Sequence, residues 1–295
     1  NPLKKAYCRV FQNVFKFALP LLPYRNPKII GNVKGIPEVL EKRNYNNVLI
    51  ITDAGIRSLG LTERLEQTLK RSCISYHIYD KTVANPTTVN VDEALHMYLD
   101  HDCQAIIGFG GGSSMDVQKP QQRIAKPHQS LAQMKGILKI HKKLPLLIAI
   151  PTTAGTGSET TLAAVITDAE TRHKYAINDF PLIPRYAVLD PKVTLSLPPF
   201  ITAYHRHGCP RLTQWNAYIG NSTTPGTRKN ALDAVRLIFE IWIPPTQTAI
   251  ILKQDEICSA PPISQAVPSP NPTLDMSTQL HIPSAENIMF HMGLP

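Results

Sequence analysis

The first 200 residues of the sequence predict an α/β fold built on a parallel sheet. Short apolar segments with the composition of buried strands alternate with longer segments that have helical spacing of apolar residues. Several of the strands run directly into loops of glycine, serine or threonine. Strands that alternate with helices favour a parallel sheet, because each helix returns the chain to the same edge. At 295 residues and 43% hydrophobic content, the chain has enough apolar material to fill such a core.

Two strand–helix pairs open the predicted sheet. The first strand is a largely apolar, β-branched run, and the helix after it places leucines at helical spacing among charged residues. The first strand ends at Asp53, and the turn Asn85-Pro86 precedes the second helix. In order, the predicted elements are the strand Val48–Thr52, the helix Arg57–Arg71, the strand Ile74–Tyr79 and the helix Val91–Leu99.

Two further strands end in loops that suit a phosphate-containing ligand. Ala105–Phe109 leads into the triple glycine of Gly110–Ser113, where backbone N–H groups can approach a pyrophosphate closely. Leu146–Ile150 leads into Thr152–Ser158, whose hydroxyls suit phosphate and carboxamide oxygens. Taken alone, a tight turn explains the first loop and helix capping explains the second equally well. Because ligands of parallel sheets collect beyond the carboxyl ends of the strands, we expect both loops to share one pocket with Asp53.

Asp53 has two interpretations. Its carboxylate can accept hydrogen bonds from an adenosine ribose diol, and its charge would repel a 2′-phosphate, which favours NAD over NADP. The same side chain can instead cap the helix that follows.

Composition argues against several classes of protein. The formal net charge is +9, but the basic residues are dispersed, and even Lys139–Lys143 is interrupted, so a solvated surface is favoured over a nucleic-acid-binding one. The five cysteines are odd in number and lack C-x-x-C spacing, which argues against a disulfide framework or a thiolate zinc site. We therefore expect a cytoplasmic protein without a nucleic-acid partner.

The N-terminal extension, residues 1–27, contains an apolar stretch from Val10 to Leu22. Lys16 and Pro20 interrupt it short of the roughly 18 apolar residues that a spanning helix needs. A packed helix is the favoured interpretation, and attachment to a membrane surface is the alternative. We expect neither a signal peptide nor a membrane partner.

Taken together, the motifs resemble the iron-containing (group III) alcohol dehydrogenases of the NAD-dependent type. Four strings occur in the order and spacing of that family: Asn85-Pro86-Thr87, Gly110–Asp116 with Lys119, Ile150–Thr160 and Ala187–Pro191. The resemblance implies a Rossmann-like dinucleotide-binding domain over residues 28–198. In the family, an all-helical metal-binding domain follows, and here residues 199–240 contain only its beginning.

The resemblance also implies roles for individual residues. Asp53 would bind the adenosine ribose, and Asn85 with the glycine loop would hold the pyrophosphate. The resemblance further implies a divalent metal, iron or zinc, held through one Asp and three His. The implied dinucleotide-binding residues are Asp53, Asn85, Gly110, Gly111, Gly112, Ser113, Thr152, Thr153, Thr156, Thr161 and Lys174.

The implied reaction is hydride transfer between NAD(H) and a primary alcohol or aldehyde, with the metal polarising the substrate oxygen. The resemblance further implies a homo-oligomer. Sister enzymes such as a glycerol dehydrogenase or a maleylacetate reductase share the fold, so the substrate stays open.

The resemblance fails where the metal ligands should lie. Tyr204–Asn216 replaces the family segment that supplies the Asp and the first His. His205 and His207 are close together, but two histidines in a loop are typical of exposed residues, so neither is assigned as a ligand. Residues 241–295 hold nine prolines and one glycine, a composition that excludes an all-helical domain and predicts disorder. We therefore assign no metal ligand or catalytic residue and expect the chain as written to be inactive. The alternative function is a non-catalytic, truncated NAD-binding fragment.

A shift of reading frame accounts for this tail. Codons for Ser277–Pro295 can be chosen so that reading from their third base gives His-Ala-Ile-Ala-His-Ser-Leu-Gly-Gly-Lys-Tyr-Asn-Val-Pro-His-Gly-Leu-Ala. That string resembles the family segment with the two remaining metal histidines. The same offset from Glu240 permits a further family-like segment, so one lost base there explains the whole tail. On this hypothesis, His281 and His291 are products of the wrong frame.

Two shorter segments fit the same hypothesis. Arg206–Pro210 permits Gly-Met-Asp-Ala in another frame, and Gln118–Gln122 permits Ala-Lys-Ala-Ala-Ala. The second change would also explain Pro120, which interrupts the helix expected after the glycine loop.

Overall fold

The computed structural model describes residues 25–121, 130–140, 144–153 and 157–193, together with Val10 and Leu232. Within these residues, six parallel strands form a sheet in the order β1-β9-β6-β4-β2-β3. Three further strands form a second sheet in the order β5-β8-β7. The strands are β1 (Lys28–Ile30), β2 (Asn47–Ile51), β3 (Ser75–Tyr79), β4 (Ala105–Gly110), β5 (Gly136–Ile137), β6 (Leu146–Pro151), β7 (Ala163–Thr167), β8 (Lys174–Asn178) and β9 (Tyr186–Val188).

The helices lie between the strands in the order that the sequence predicts. Thr87 caps the longest α-helix of the described chain in a reciprocal capping box with Asn90, so this helix begins three residues before the predicted Val91. The α-helices are α1 (Ile36–Glu41), α2 (Ala54–Ser58), α3 (Glu63–Arg71), α4 (Thr88–Asp100), α5 (Gly112–Gln118) and α6 (Leu131–Met134), and 3₁₀ helices cover Val33–Gly35, Phe180–Leu182 and Pro191–Val193.

The single helix predicted over Arg57–Arg71 is wrong. The chain forms α2 and α3 instead, separated by a turn in which Gly60 has φ +67°. The Gly60 and Leu61 N–H groups donate to the carbonyls of Arg57 and Ile56, which ends α2 in the manner of a glycine C-cap. The leucine spacing of the segment continued through this turn and concealed it.

Strand order places a crevice between β2 and β4. From β2 the chain moves outward to β3, then returns to the other side of β2 to form β4 and continues to β6 and β9. The connections on either side of this point lead away in opposite directions, which opens a crevice at the carboxyl ends of the two strands. Asp53 and Gly110 lie at these ends.

Each face of the large sheet buries its own core. Along β2, Val48 and Ile50 pack with residues of α1 and α3, whereas Leu49 and Ile51 pack with residues of α4 and the small sheet. All four side chains are fully buried. This two-sided burial explains why the strand reads as a continuous apolar run.

No helix in the described part of the chain is long and apolar enough to cross a lipid bilayer. The segment Val10–Leu22, Thr156 and the region beyond residue 193 fall outside the described residues apart from Val10 and Leu232.

Candidate functional site

Asp53 lies at the crevice as the N-cap of α2. Its Oδ1 accepts a hydrogen bond of 2.9 Å from the Ile56 N–H, so the capping interpretation of this residue is confirmed. The bond engages one of the two carboxylate oxygens. Asp53 is partly exposed at the end of β2, and the cap therefore fixes the side chain at the crevice.

Gly110 closes the end of β4 in a conformation that excludes a side chain. Its φ is +148°, and a Cβ at this position would lie 2.5 Å from Ser114 Oγ and 2.9 Å from Ile56 Cδ1. A Cβ on Gly111 would meet only Thr153, at 3.5 Å from Oγ1. The backbone at Gly110 thus fits between α2 and α5, while Gly111 lies beside the threonine loop.

The threonine loop after β6 contacts the glycine loop directly. The Thr152 N–H donates to the Gly110 carbonyl over 3.0 Å. Thr152 is buried and Thr153 is partly buried. The two loops, which the sequence predicted to share one pocket, are therefore adjacent. Gly112 and Ser113, also predicted site residues, form the first turn of α5 and are both partly exposed.

Buried hydroxyls without hydrogen-bond partners cluster at this edge of the sheet. Within the described residues, Oγ1 of Thr52, Oγ of Ser114 and Oγ1 of Thr152 and Thr153 have none. These residues follow β2, β4 and β6, three neighbouring strands. A buried hydroxyl without a partner destabilises a protein by about 1–3 kcal/mol, and a polar ligand can remove that penalty. Hydroxyl donors beside a glycine backbone match the ribose and phosphate oxygens of a dinucleotide, so the residues present fit this ligand.

Asn85 and Lys174, two predicted site residues 89 positions apart in sequence, meet in the structure. Lys174 Nζ donates to Asn85 Oδ1 over 2.8 Å. Asn85 has φ +57°, a left-handed conformation that asparagine tolerates better than most residues. The hydrogen bond joins the turn after β3 to the start of β8, and both side chains are exposed.

Thr161 differs from the other predicted threonines, because its hydroxyl is engaged within the protein. It donates to the Ser158 carbonyl over 3.3 Å and accepts from Lys119 Nζ over 2.8 Å. Lys119 Nζ also donates to the Ala163 carbonyl over 2.7 Å. Thr161 therefore holds the threonine loop in place rather than presenting a free hydroxyl.

Three ionisable side chains lie together behind the two loops. Asp116, Lys119 and Glu159 are 7%, 0% and 2% exposed. Burial raises the pKa of Glu159 to about 7, with the nearby Lys119 opposing this shift. Burial also raises the pKa of Asp116 and lowers that of Lys119, because both charged forms lose their hydration. One ammonium thus stands against two carboxyl groups in a site shielded from water.

Sequence reasoning gave this cluster no role. Asp116 and Lys119 belong to a quoted motif, and their spacing of three residues places them on one face of a helix. That spacing after a glycine loop was the available signal. Glu159 gave no signal, since nothing local shows that the chain buries it. Asn178 was also missed: both polar atoms of its buried side chain lack a partner within the described chain.

A metal site does not appear among the described residues, where no three His, Cys, Asp or Glu side chains are grouped to bind an ion. The region in which the family carries its ligands lies beyond residue 193. The described residues therefore do not fit the metal.

The fold and site define a doubly wound α/β protein with a crevice suited to a dinucleotide. The sequence profile of the family "Iron-containing alcohol dehydrogenase" matches residues 28–191. The chain therefore belongs to the iron-containing alcohol dehydrogenase family.

Individual relatives agree with this assignment. Alcohol dehydrogenase 4 of Schizosaccharomyces pombe is 36% identical over 201 residues, which cover 68% of this chain and 47% of that protein. The NAD-dependent methanol dehydrogenase of Bacillus methanolicus is 32% identical over 211 residues, which cover 71% and 55%. The structure of an alcohol dehydrogenase from Oenococcus oeni superposes with a TM-score of 0.73 at 27% identity, covering 81% of this chain and 64% of that one. The chain spans about half the length of the two sequence relatives.

Proposed function

We propose that residues 28–198 bind NAD and that the encoded enzyme is an alcohol dehydrogenase that interconverts primary alcohols and aldehydes. The observation that carries the dinucleotide site is the row of unpartnered hydroxyls at Thr52, Ser114, Thr152 and Thr153. They lie at the crevice of a doubly wound sheet, where this class of fold binds its ligands. Family membership and a relative named as an NAD-dependent dehydrogenase support the choice of cofactor.

The residues divide the dinucleotide between two halves of the crevice. Asp53 accepts from the adenosine ribose with the oxygen that the helix cap does not use, and Asn85 with Gly110–Ser113 holds the pyrophosphate. Bound NAD supplies the hydride acceptor. The nicotinamide half is lined by Thr152, Thr153 and Thr156, with Thr161 and Lys174 fixing the strands around it.

The charge of Asp53 selects the dinucleotide, and a conservative variant tests this. Calorimetric titration of the 295-residue chain should give tighter binding of NAD than of NADP by about tenfold or more, since a 2′-phosphate would meet the carboxylate. Asp53→Asn keeps a side chain that can cap the helix and removes the charge. It should therefore reduce the difference in affinity between NAD and NADP. Asp102→Asn, on the exposed turn before β4, is the matched control. A chain that binds neither dinucleotide, or NADP as tightly as NAD, contradicts the proposal.

The chain as written should bind NAD without oxidising alcohols. Its sequence assigns none of the four ligands expected for the metal, so the substrate oxygen has no Lewis acid. Absorbance at 340 nm should stay flat when the chain is mixed with NAD, butanol and ferrous or zinc ion. Robust metal-dependent formation of NADH would overturn this expectation.

A further inference from the structure

The outer edge of β7 is closed by two side chains of the helix that follows the glycine loop. β7 pairs with β8 on one side only, because it is the outer strand of the small sheet. On its other side, the Ala163 carbonyl accepts from Lys119 Nζ, and the Val165 N–H donates to the Asp116 carboxylate. Residues two apart in a strand present their backbone groups to the same side. Asp116 and Lys119 therefore replace a neighbouring strand with one acceptor and one donor.

The same edge of β7 continues into the turn at Asn85. The Thr167 N–H donates to the Pro86 carbonyl over 2.8 Å, one further step of two along the strand. At the start of β8, Lys174 reaches Asn85. The hairpin of β7 and β8 is thus fixed to the glycine-loop helix at one end and to the turn after β3 at the other.

Packing alone does not explain Lys119. Burying an ammonium is costly unless it is paired, and a methionine would fill the same space without that cost. Lys119 uses two of its three donors, on Thr161 and on Ala163. Both acceptors belong to the threonine loop and the strand that leaves it. The charge is thus placed where it holds this loop against the glycine-loop helix.

We propose that Asp116 and Lys119 are positioning residues for the nicotinamide half of the dinucleotide site, which they set by docking β7 and the threonine loop onto the glycine-loop helix. This inference rests on the proposed binding of NAD. The adenosine half of the site is built on β2 and β4 of the large sheet, with Asp53 and Gly110. It does not depend on the contacts that Asp116 and Lys119 make with β7 and the threonine loop.

Two ligands separate the two halves of the site. ADP engages the adenosine half and the pyrophosphate loop, whereas NADH also engages the nicotinamide half. Lys119→Met keeps most of the length of the side chain and removes its donors, so it should weaken NADH binding about tenfold or more and change ADP binding by less than about twofold. Lys42→Met, on the exposed end of α1, should change neither affinity.

A second pair of variants tests the acceptor. Asp116→Asn retains an oxygen for the Val165 N–H, so its affinity for NADH should stay within about threefold of that of the unaltered chain. Asp116→Leu should lose affinity for NADH while keeping its affinity for ADP. This pair decides the matter even if Lys119→Met does not fold. A general loss of stability would weaken ADP and NADH binding together, so the selective loss of NADH affinity is the distinguishing result.

The outcomes separate this inference from the function on which it rests. Equal losses of ADP and NADH, or unchanged NADH binding in both Lys119→Met and Asp116→Leu, would overturn the positioning role while leaving the NAD site intact. An unaltered chain that binds neither ligand would overturn the proposed function, and this inference with it.

Discussion

The two ends of helix α5 contain the same kind of defect in opposite surroundings. At the N-terminal end, the buried Ser114 hydroxyl lacks a partner and lies beside Gly110, which closes the end of β4 at the crevice. At the C-terminal end and just beyond it, Gln118 and Gln121 are fully buried, and the amide oxygen of each lacks a partner. No ligand can reach a side chain enclosed between the helix and the sheet. The unpaired atom therefore borders the proposed dinucleotide site at one end and lies within the core of the sheet at the other.

Gln118 shows the mismatch most clearly. Its Nε2 donates to the carbonyls of Ile106 and Ile148, within the strands β4 and β6. Its Oε1 would lie 2.5 Å from a Cβ on Gly108, so the side chain fits only because that position is glycine. The alternative reading frame permits alanine at position 118 and retains Lys119. The misfit of a buried glutamine thus supports the hypothesis of a local frame change.

The largest effect on stability is expected from Glu159, which lies near Lys119 at the C-terminal end of α5. Its pKa rises from an ordinary value of 4.5 to about 7, so between these pH values the folded chain retains a proton that the unfolded chain has released. Below about pH 4.5 this group contributes its full amount to the free energy of unfolding. As pH rises through 7, the free energy of unfolding falls by about 3 kcal/mol on account of this group. Glu159→Gln should remove this component of the pH dependence in denaturant titrations.

The exposed Glu170→Gln is the control for that series and should leave the pH dependence unchanged. If Glu159→Gln and the unaltered chain lose stability in parallel between pH 4.5 and 8, the carboxyl group is not buried in the folded state.

The second largest effect on stability is expected at Gly110, next to the N-terminal end of α5. Gly110→Ala should destabilise the chain by about 2 kcal/mol and abolish dinucleotide binding, since the new Cβ would clash with Ser114 and Ile56 at a positive φ. Gly31→Ala introduces the same atom where nothing lies within 4 Å. Thermal unfolding and NAD titration of both variants check this. Similar melting temperatures for the two would show that the crevice is looser than described.

The smallest effect is expected from Gln118→Ala, and its sign differs from the other core substitutions. Removing a buried oxygen without a partner should stabilise the chain by about 1 kcal/mol despite the loss of two hydrogen bonds to sheet carbonyls. Gln67→Ala, on the exposed face of α3, should change stability by only a few tenths of that amount. Denaturant midpoints measure both, and a destabilised Gln118→Ala would show that the glutamine belongs in this core.

Resequencing the coding region addresses the same question independently. The hypothesis expects a lost or gained base near the codons for Gln118, Arg206 and Glu240. Codons confirmed in frame at all three places would remove it, and the buried glutamines would then need another explanation.

Local pattern predicted the elements well where it was not interrupted. The apolar runs identified β2, β4 and β6 to within a residue or two, because strands buried on both faces are apolar throughout. β3 was also placed to within a residue, although it is an edge strand and only partly buried. The helix from Arg57 to Arg71 was wrong because a glycine turn does not disturb leucine spacing. The glycine and threonine loops were correctly expected to meet, since strand ends in a parallel sheet share one edge.

The sequence by itself determined the family, the parallel fold and which loops meet at the crevice, because these depend on composition and spacing along the chain. Only the tertiary structure decided that Asp53 caps a helix, that the Thr161 hydroxyl is engaged internally and that Asp116, Lys119 and Glu159 are buried together. Hydrogen-bond partners and burial depend on segments that lie far apart in sequence, such as Lys119 and Ala163. The roles of these side chains therefore depend on contacts between distant segments, which no local sequence pattern reveals.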